Sequence, residues 1–178
     1  DTYRSTPLVR ASSALPGHDP QHVLSPSDPS SWRSDASAEP QWLLIDFQQE
    51  REYGGLVIEW EKEFRGKQFD VQVSADGLAW SAACATTQGD SERSYLYLPH
   101  TLSRYLRLNL YRSVEGRGFG IRGILFKPHD FSRSLNDFFQ NIAREHPAGL
   151  YPKYLLGRQT YWTPVGTGEG DGQALLNE

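Results

Sequence analysis

Six short runs of apolar or alternating residues, each closed by turn-forming residues, restrict this chain more than any other feature. They are "QWLLIDF" (Gln41 to Phe47), "GLVIEWE" (Gly55 to Glu61), "FDVQVS" (Phe69 to Ser74), "SYLYLP" (Ser94 to Pro99), "RYLRLNLY" (Arg104 to Tyr111) and "IRGILF" (Ile121 to Phe126). The fifth shows the pattern best, with Tyr105, Leu106, Leu108 and Leu110 set against Arg107 and Asn109. Side chains that alternate in this way suit strands with one face in a core. Runs spaced by roughly 10 to 15 residues with polar turns between them predict an all-β sandwich rather than a helical or βαβ fold. At 178 residues there is room for one such domain and an appendage, and a 12% aromatic content supplies bulky side chains for its interior.

In "FDVQVSADGLAWS", Val71 and Val73 take one strand face and Gln72 and Ser74 the other. Asp76 then serves the turn, with Gly77 free to adopt positive φ, and Trp80 packs on the returning strand. Residues 1–40 are rich in Pro, Ser, Asp and Gly, and predict turns and irregular loops around Trp32. Beyond Pro128 the period changes. "SRSLNDFFQNIAREH" (Ser132 to His146) spaces Leu135, Phe138, Phe139, Ile142 and Ala143 as an amphipathic helix, with Ser134 and Asp137 as its N-terminal cap and Pro147 as its stop. The remainder carries Tyr151, Tyr154, Tyr161 and Trp162 beside a glycine-rich run. Left in water, those aromatics would form an apolar patch, so they pack back on the sandwich or meet a following domain. The expected organisation is a sandwich over 1–128, a helical extension over 129–147, and a linker or the start of another domain over 148–178.

A net charge of -4 gives no basic footprint for nucleic acid. No apolar run approaches the ~18 residues of a membrane span. The lone Cys84 has no partner for an internal disulfide, and a chain that begins at Asp1 without methionine is expected to be a processed protein or a piece of something longer. Nothing nominates a nucleophile: G-x-S-x-G, H-E-x-x-H and a Cys–His signature are all missing. "GRGFG" (Gly116 to Gly120) and "GTGEGDG" (Gly166 to Gly172) lack the strand-to-helix setting of a phosphate loop. His18 and His22 stand four apart, but Gly17 and Pro20 rule out the helix that would aim both at a metal, so they are read as a solvent-facing pair. Glu59, Glu61 and Glu63 are read as a solvated strand edge, not as catalytic carboxylates.

Seven pieces in order, "RASSALPG", "PSSW", "QWLLIDF", "VIEWE", "FDVQVSADGLAW", "SRYLRLNL" and "GFGIRGILF", resemble the discoidin family, also called the coagulation factor V/VIII C-type domain. The resemblance covers about residues 1–128. It implies an eight-stranded, galactose-binding-like jelly-roll β-sandwich with a ligand site on the loops at one end, here followed by a C-terminal helix and an extended tail. Bacterial members are carbohydrate-binding modules. Their sugar-contacting positions fall on Arg33, where members often carry histidine, on Lys62 and Arg65, and on Phe119. Arg112 and Arg117 join Arg33, Arg65 and Phe119 as the expected ligand-binding set, because sugars are held by a ring face on an aromatic and by charged donors to hydroxyls.

The family's calcium positions fall on Ser25, with Asp28 beside it, on Ser30, and on Gly123 in place of a glutamate. Calcium takes six to eight oxygens, carboxylates among them, and this set is mainly neutral, so no cofactor is expected. The resemblance therefore implies a non-catalytic carbohydrate-binding module from the N-terminal part of a larger secreted bacterial protein, a carbohydrate-active enzyme acting outside the cell or in the periplasm. Its expected partners are a glycan and a downstream domain of the same polypeptide, with no nucleic acid. The alternatives are a structural domain packed on a catalytic one, or an adhesion module for protein or lipid headgroups that uses Phe64 and Phe119 as apolar spikes.

Overall fold

A computed structural model describes residues 5–27, 29–36 and 40–145, together with the backbone of 163–164. Its strands are β1 (Leu8–Ala11), β2 (Trp32–Arg33), β3 (Gln41–Trp60), β4 (Gly66–Ser74), β5 (Ser81–Thr86), β6 (Arg93–Ser113), β7 (Gly120–Lys127) and β8 (Thr163–Pro164). One helix, α1 (Leu135–Glu145), and two 3-10 turns, Pro20–Leu24 and His129–Ser132, complete it.

The architecture follows from one long ribbon. β3 and β6 pair antiparallel from Gln41↔Leu110 to Glu59↔Arg93, with register shifts between Asp46 and Arg51 and again between Tyr53 and Gly55. At those shifts the ribbon folds over. The turn-over is marked by left-handed backbone at Gln48 (φ 61) and His100 (φ 51). Bulges of this kind bend a ladder without ending it. The first half of β3 and the second half of β6 therefore form one layer with β1, β4 and β5, and β8 adds to the edge of β5. The second half of β3 and the first half of β6 form the other layer with β7 and β2. This is the expected all-β jelly-roll sandwich. Two pairs of expected strands are in fact single strands, because the polar residues between them stay paired across the fold-over.

Inward positions fill the space between the layers. Leu43, Ile45, Ile58, Trp60, Val71, Leu106, Leu108 and Leu110 have 0% exposure, and Phe47, Tyr53 and Phe69 no more than 2%. Trp60 meets Phe69 across the layers at 5.2 Å, while Phe47, Tyr53 and Phe126 pack together at the fold-over at 4.9 to 5.7 Å. Cys84 is buried, and burial pushes its thiol pKa up.

Asp76 is a turn residue. Its Oδ1 accepts from the amides of Leu78 (2.8 Å) and Ala79 (2.9 Å), and Gly77 sits at φ 78. Those amide bonds hold its carboxyl below the ordinary value. Trp80 is half-buried under the Arg107 guanidinium, 4.3 Å from its ring centroid. Val71 is buried as expected, but Val73 is only half-buried and Ser74 is buried, where its hydroxyl accepts from the Gly77 amide.

α1 begins on the expected cap: Asp137 N–H donates to Ser134 Oγ (3.1 Å) and Ser134 O–H donates to the Asp137 carboxylate (2.9 Å). Its stripe is spent within the domain. Phe138 is fully buried against Tyr97 (5.5 Å) and Phe131 (5.7 Å). The expected linker and its aromatics, Tyr151, Tyr154, Tyr161 and Trp162, lie outside the described residues.

Candidate functional site

The end of the sandwich opposite the fold-over is built from connecting loops. These are 61–65 between β3 and β4, 87–92 between β5 and β6, and 114–119 between β6 and β7, with 31–36 around β2. Backbone bonds tie them into one surface. Glu61 N–H donates to Gly120 O, Gly120 N–H to Phe64 O, and Val114 N–H to Arg65 O, each at 2.9 Å. Gly89 N–H reaches Lys67 O at 2.7 Å, and Ser34 N–H reaches Phe119 O at 2.9 Å.

Glu61 organises this surface. Its side chain is 14% exposed and accepts from Arg33 through Nε at 2.7 Å and Nη2 at 2.6 Å. Ser31 O–H donates to the other carboxylate oxygen, and Ser31 is in turn bonded to His18, whose Nδ1 lies 3.0 Å from its carbonyl. The Arg33 guanidinium rests over the Phe64 ring, 4.5 Å from the centroid, and stays 34% exposed. A flat cation is thus held by a carboxylate on one side and a ring beneath, with part of it open to solvent. That is a pre-positioned donor fork of the kind that binds paired oxygens.

The expected ligand-binding residues divide. Arg33 is central. Arg117 is exposed and pairs with Glu63 at 3.8 Å. Arg65 is only 15% exposed; it donates to Lys62 O and to Asp90 at 3.1 Å, so it braces loop 61–65 against loop 87–92. Arg112 is exposed near the end of β6, opposite Gln68. Phe119 requires a correction. At 0% exposure its ring is in the core, because Ser34 clamps its backbone from both sides, and it offers no face to a ligand. Phe64 is the ring that this end presents.

Two expectations about charged side chains also change. Glu59, Glu61 and Glu63 do not share a solvated edge, since β3 ends at Trp60 and each meets a different arginine: Arg93 (3.6 Å), Arg33 and Arg117. His18 and His22 are half-buried rather than solvent-facing. The role of Glu61 was hidden because its partner lies 28 residues away.

The calcium positions do not fit the ion. A Cβ on Gly123 would stand 2.6 Å from Pro26 Cβ, so the place of the glutamate is filled by a proline ring. The nearest carboxylate, Glu59, is drawn to Arg93. Ser25 is exposed, Ser30 half-buried, and Asp28 lies outside the described residues. Among the described residues no three His, Cys, Asp or Glu gather as a metal site. No described helix is long and apolar enough to cross a membrane.

The profile of the F5/8 type C domain matches residues 9–123, most of the chain. The chain belongs to the F5/8 type C domain family. No curated protein matches it significantly. Solved structures share the fold of this F5/8 type C domain. One is chitosan-binding module 2 of a chitosanase/glucanase from Paenibacillus sp. IK-5, in complex with chitotriose. It is 20% identical with a TM-score of 0.62, over 67% of this chain and 95% of that one. A CBM32 module from Clostridium perfringens, in complex with GalNAc-β-1,3-galactose, is 16% identical with a TM-score of 0.60, over 68% and 94%. A GH29 fucosidase from Ruminococcus gnavus, in complex with fucose, matches over 68% of this chain but 25% of its own, at 16% identity and a TM-score of 0.59.

Proposed function

We propose that this F5/8 type C domain is a non-catalytic carbohydrate-binding module whose loop end holds a sugar. The Arg33–Glu61–Phe64 arrangement carries this reading. A guanidinium and a carboxylate fixed side by side offer donors and acceptors to neighbouring hydroxyls, and each charge-assisted bond counts for more than a neutral one. Arg117 and Arg112 extend the donor surface, and Arg65 positions the loop that carries Phe64.

The reading includes a larger, secreted bacterial parent that works on glycans outside the cell. The fucosidase that matches over a quarter of its own length is consistent with such a setting. Weak affinity suffices there, since a tether raises local substrate concentration. A purely structural role through the helix has less support, because the α1 stripe already packs on its own sandwich. An adhesion role loses one of its two apolar spikes with Phe119 in the core.

A glycan array with the whole chain, followed by titration of the hits, tests the reading. Binding is expected to fall about tenfold or more in Arg33→Ala and in Glu61→Gln. A silent array, or hits that both variants keep at full strength, would overturn it.

A further inference from the structure

The outer face of the β1–β3–β6–β4 layer carries a second surface, separate from the loop end. Registers place its residues side by side: Arg10 opposite Leu44, Leu44 opposite Arg107, Arg107 opposite Gln72, and Trp42 opposite Asn109. Residues opposite one another across a ladder point to the same side. Trp42 and Tyr111 are each 38% exposed there, and Trp80 lies at the far side under Arg107. A recess of about 180 Å³ opens between Leu8, Arg10, Leu44, Asp46 and Tyr105.

The charges on this face are unequally matched. Asp46 is taken up by Arg104, which donates to both carboxylate oxygens at 2.9 and 3.1 Å. Asp70 is taken up by Asn109 (2.7 Å) and the Tyr111 hydroxyl (2.6 Å). Among the described residues Arg107 donates to the neutral Gln72, at 3.2 and 2.5 Å, and it lies over the Trp80 ring. Arg10 is exposed and has no ion pair among the described residues. Among the described residues, then, neither guanidinium is in a salt bridge, although the charge of Arg10 reaches Asp46 across the recess, and the chain as a whole carries a net charge of -4.

We propose that this sheet face binds an acidic glycan, with Arg10 and Arg107 meeting its anionic groups and Trp42 and Tyr111 lying against its sugar rings. Charge complementarity selects an anion. The rings are flanked by hydrogen-bonded polar groups, Asn109 and Tyr111 on Asp70 and Arg107 on Gln72, instead of sitting in the apolar centre of a protein interface, which selects a polyhydroxylated partner. The surface stands whether or not the loop end binds a sugar.

The test is a titration of the ¹⁵N-labelled whole chain with hexagalacturonate, with cellohexaose as the uncharged probe and a glutamate hexapeptide as the non-sugar anion. Hexagalacturonate is expected to shift the amides of residues 8–10, 42–46 and 105–111 and to weaken with added salt. The Arg10→Gln/Arg107→Gln double variant is expected to lose about tenfold in affinity. Arg10→Gln alone, at an exposed site, is expected to lose about threefold, which guards against a disturbance of Trp80 in the double variant. Shifts confined to the loop end would overturn this proposal while leaving the loop-end reading intact. Equal binding of cellohexaose or of the peptide, or full affinity in the arginine variants, would overturn it too.

Discussion

The two ends of this sandwich are built on opposite plans. At the fold-over of β3 and β6 the chain covers itself. The 128–145 segment lies across it, with Phe131 and Phe138 buried, Lys127 bonded to Glu145 at 2.5 Å, and the carbonyls of Pro128 and His129 so near Gly54 that a Cβ there would meet them at 2.6 Å. At the loop end nothing described lies across the surface, and charged side chains are fixed against one another there: Arg33 with Glu61, Arg65 with Asp90, Arg117 with Glu63. One end contributes to stability through apolar burial. The other holds polar groups in fixed positions, which is what recognition of a hydroxylated ligand requires.

The largest expected effect separates the two ends. Phe138→Ala empties a fully buried position and is expected to cost about 3–5 kcal/mol, read from urea unfolding. Glycan binding by the fraction that remains folded should be unchanged. A loss of binding without a loss of stability would break the division between the ends.

A smaller effect sharpens it. The carboxyl of Asp46 is held below its ordinary 3.8, first by hydrogen bonds from Arg104 and with help from the Gln48 amide, beside the left-handed residue where the ribbon begins to fold over. A carboxyl depressed in the folded state adds stability above its unfolded pKa and loses that stability as pH falls through the lower folded value. Asp46→Asn should therefore lower the neutral plateau of the stability–pH curve and flatten its acid limb by the same amount, so that parent and variant converge at low pH. Both groups are partly exposed, 22% for Asp46 and 41% for Arg104, so the effect is modest. An acid limb as steep in the variant as in the parent would contradict the assignment.

Most of the sandwich was legible because its cause is local. Alternation at Tyr105 to Leu110 follows from which face meets the core, and the Ser134–Asp137 cap follows from three-residue spacing. β5 was not, since "SAACAT" is made of small residues without a clear period. The merging of strands into β3 and β6 was hidden for another reason. "QQEREYG" reads as a turn until its partners near Ser103, about 50 residues further along the chain, are known. The site was less legible than the fold. Arg33 could be placed from the family resemblance, but a phenylalanine between glycines reads as exposed, and only the distant Ser34 draws Phe119 inward. Glu61 looked like one of three solvated carboxylates because its meaning depends on Arg33 and Ser31, which reach it through the fold alone.

The central claim is that the loop end, rather than the padded end, receives a sugar. A crystal structure of the whole chain with a glycan chosen from the array tests it most directly. The account predicts sugar oxygens within hydrogen-bonding distance of Arg33 and Glu61 and a pyranose edge near Phe64. A glycan seated over the 128–145 segment, with the Arg33–Glu61 pair untouched, would contradict it.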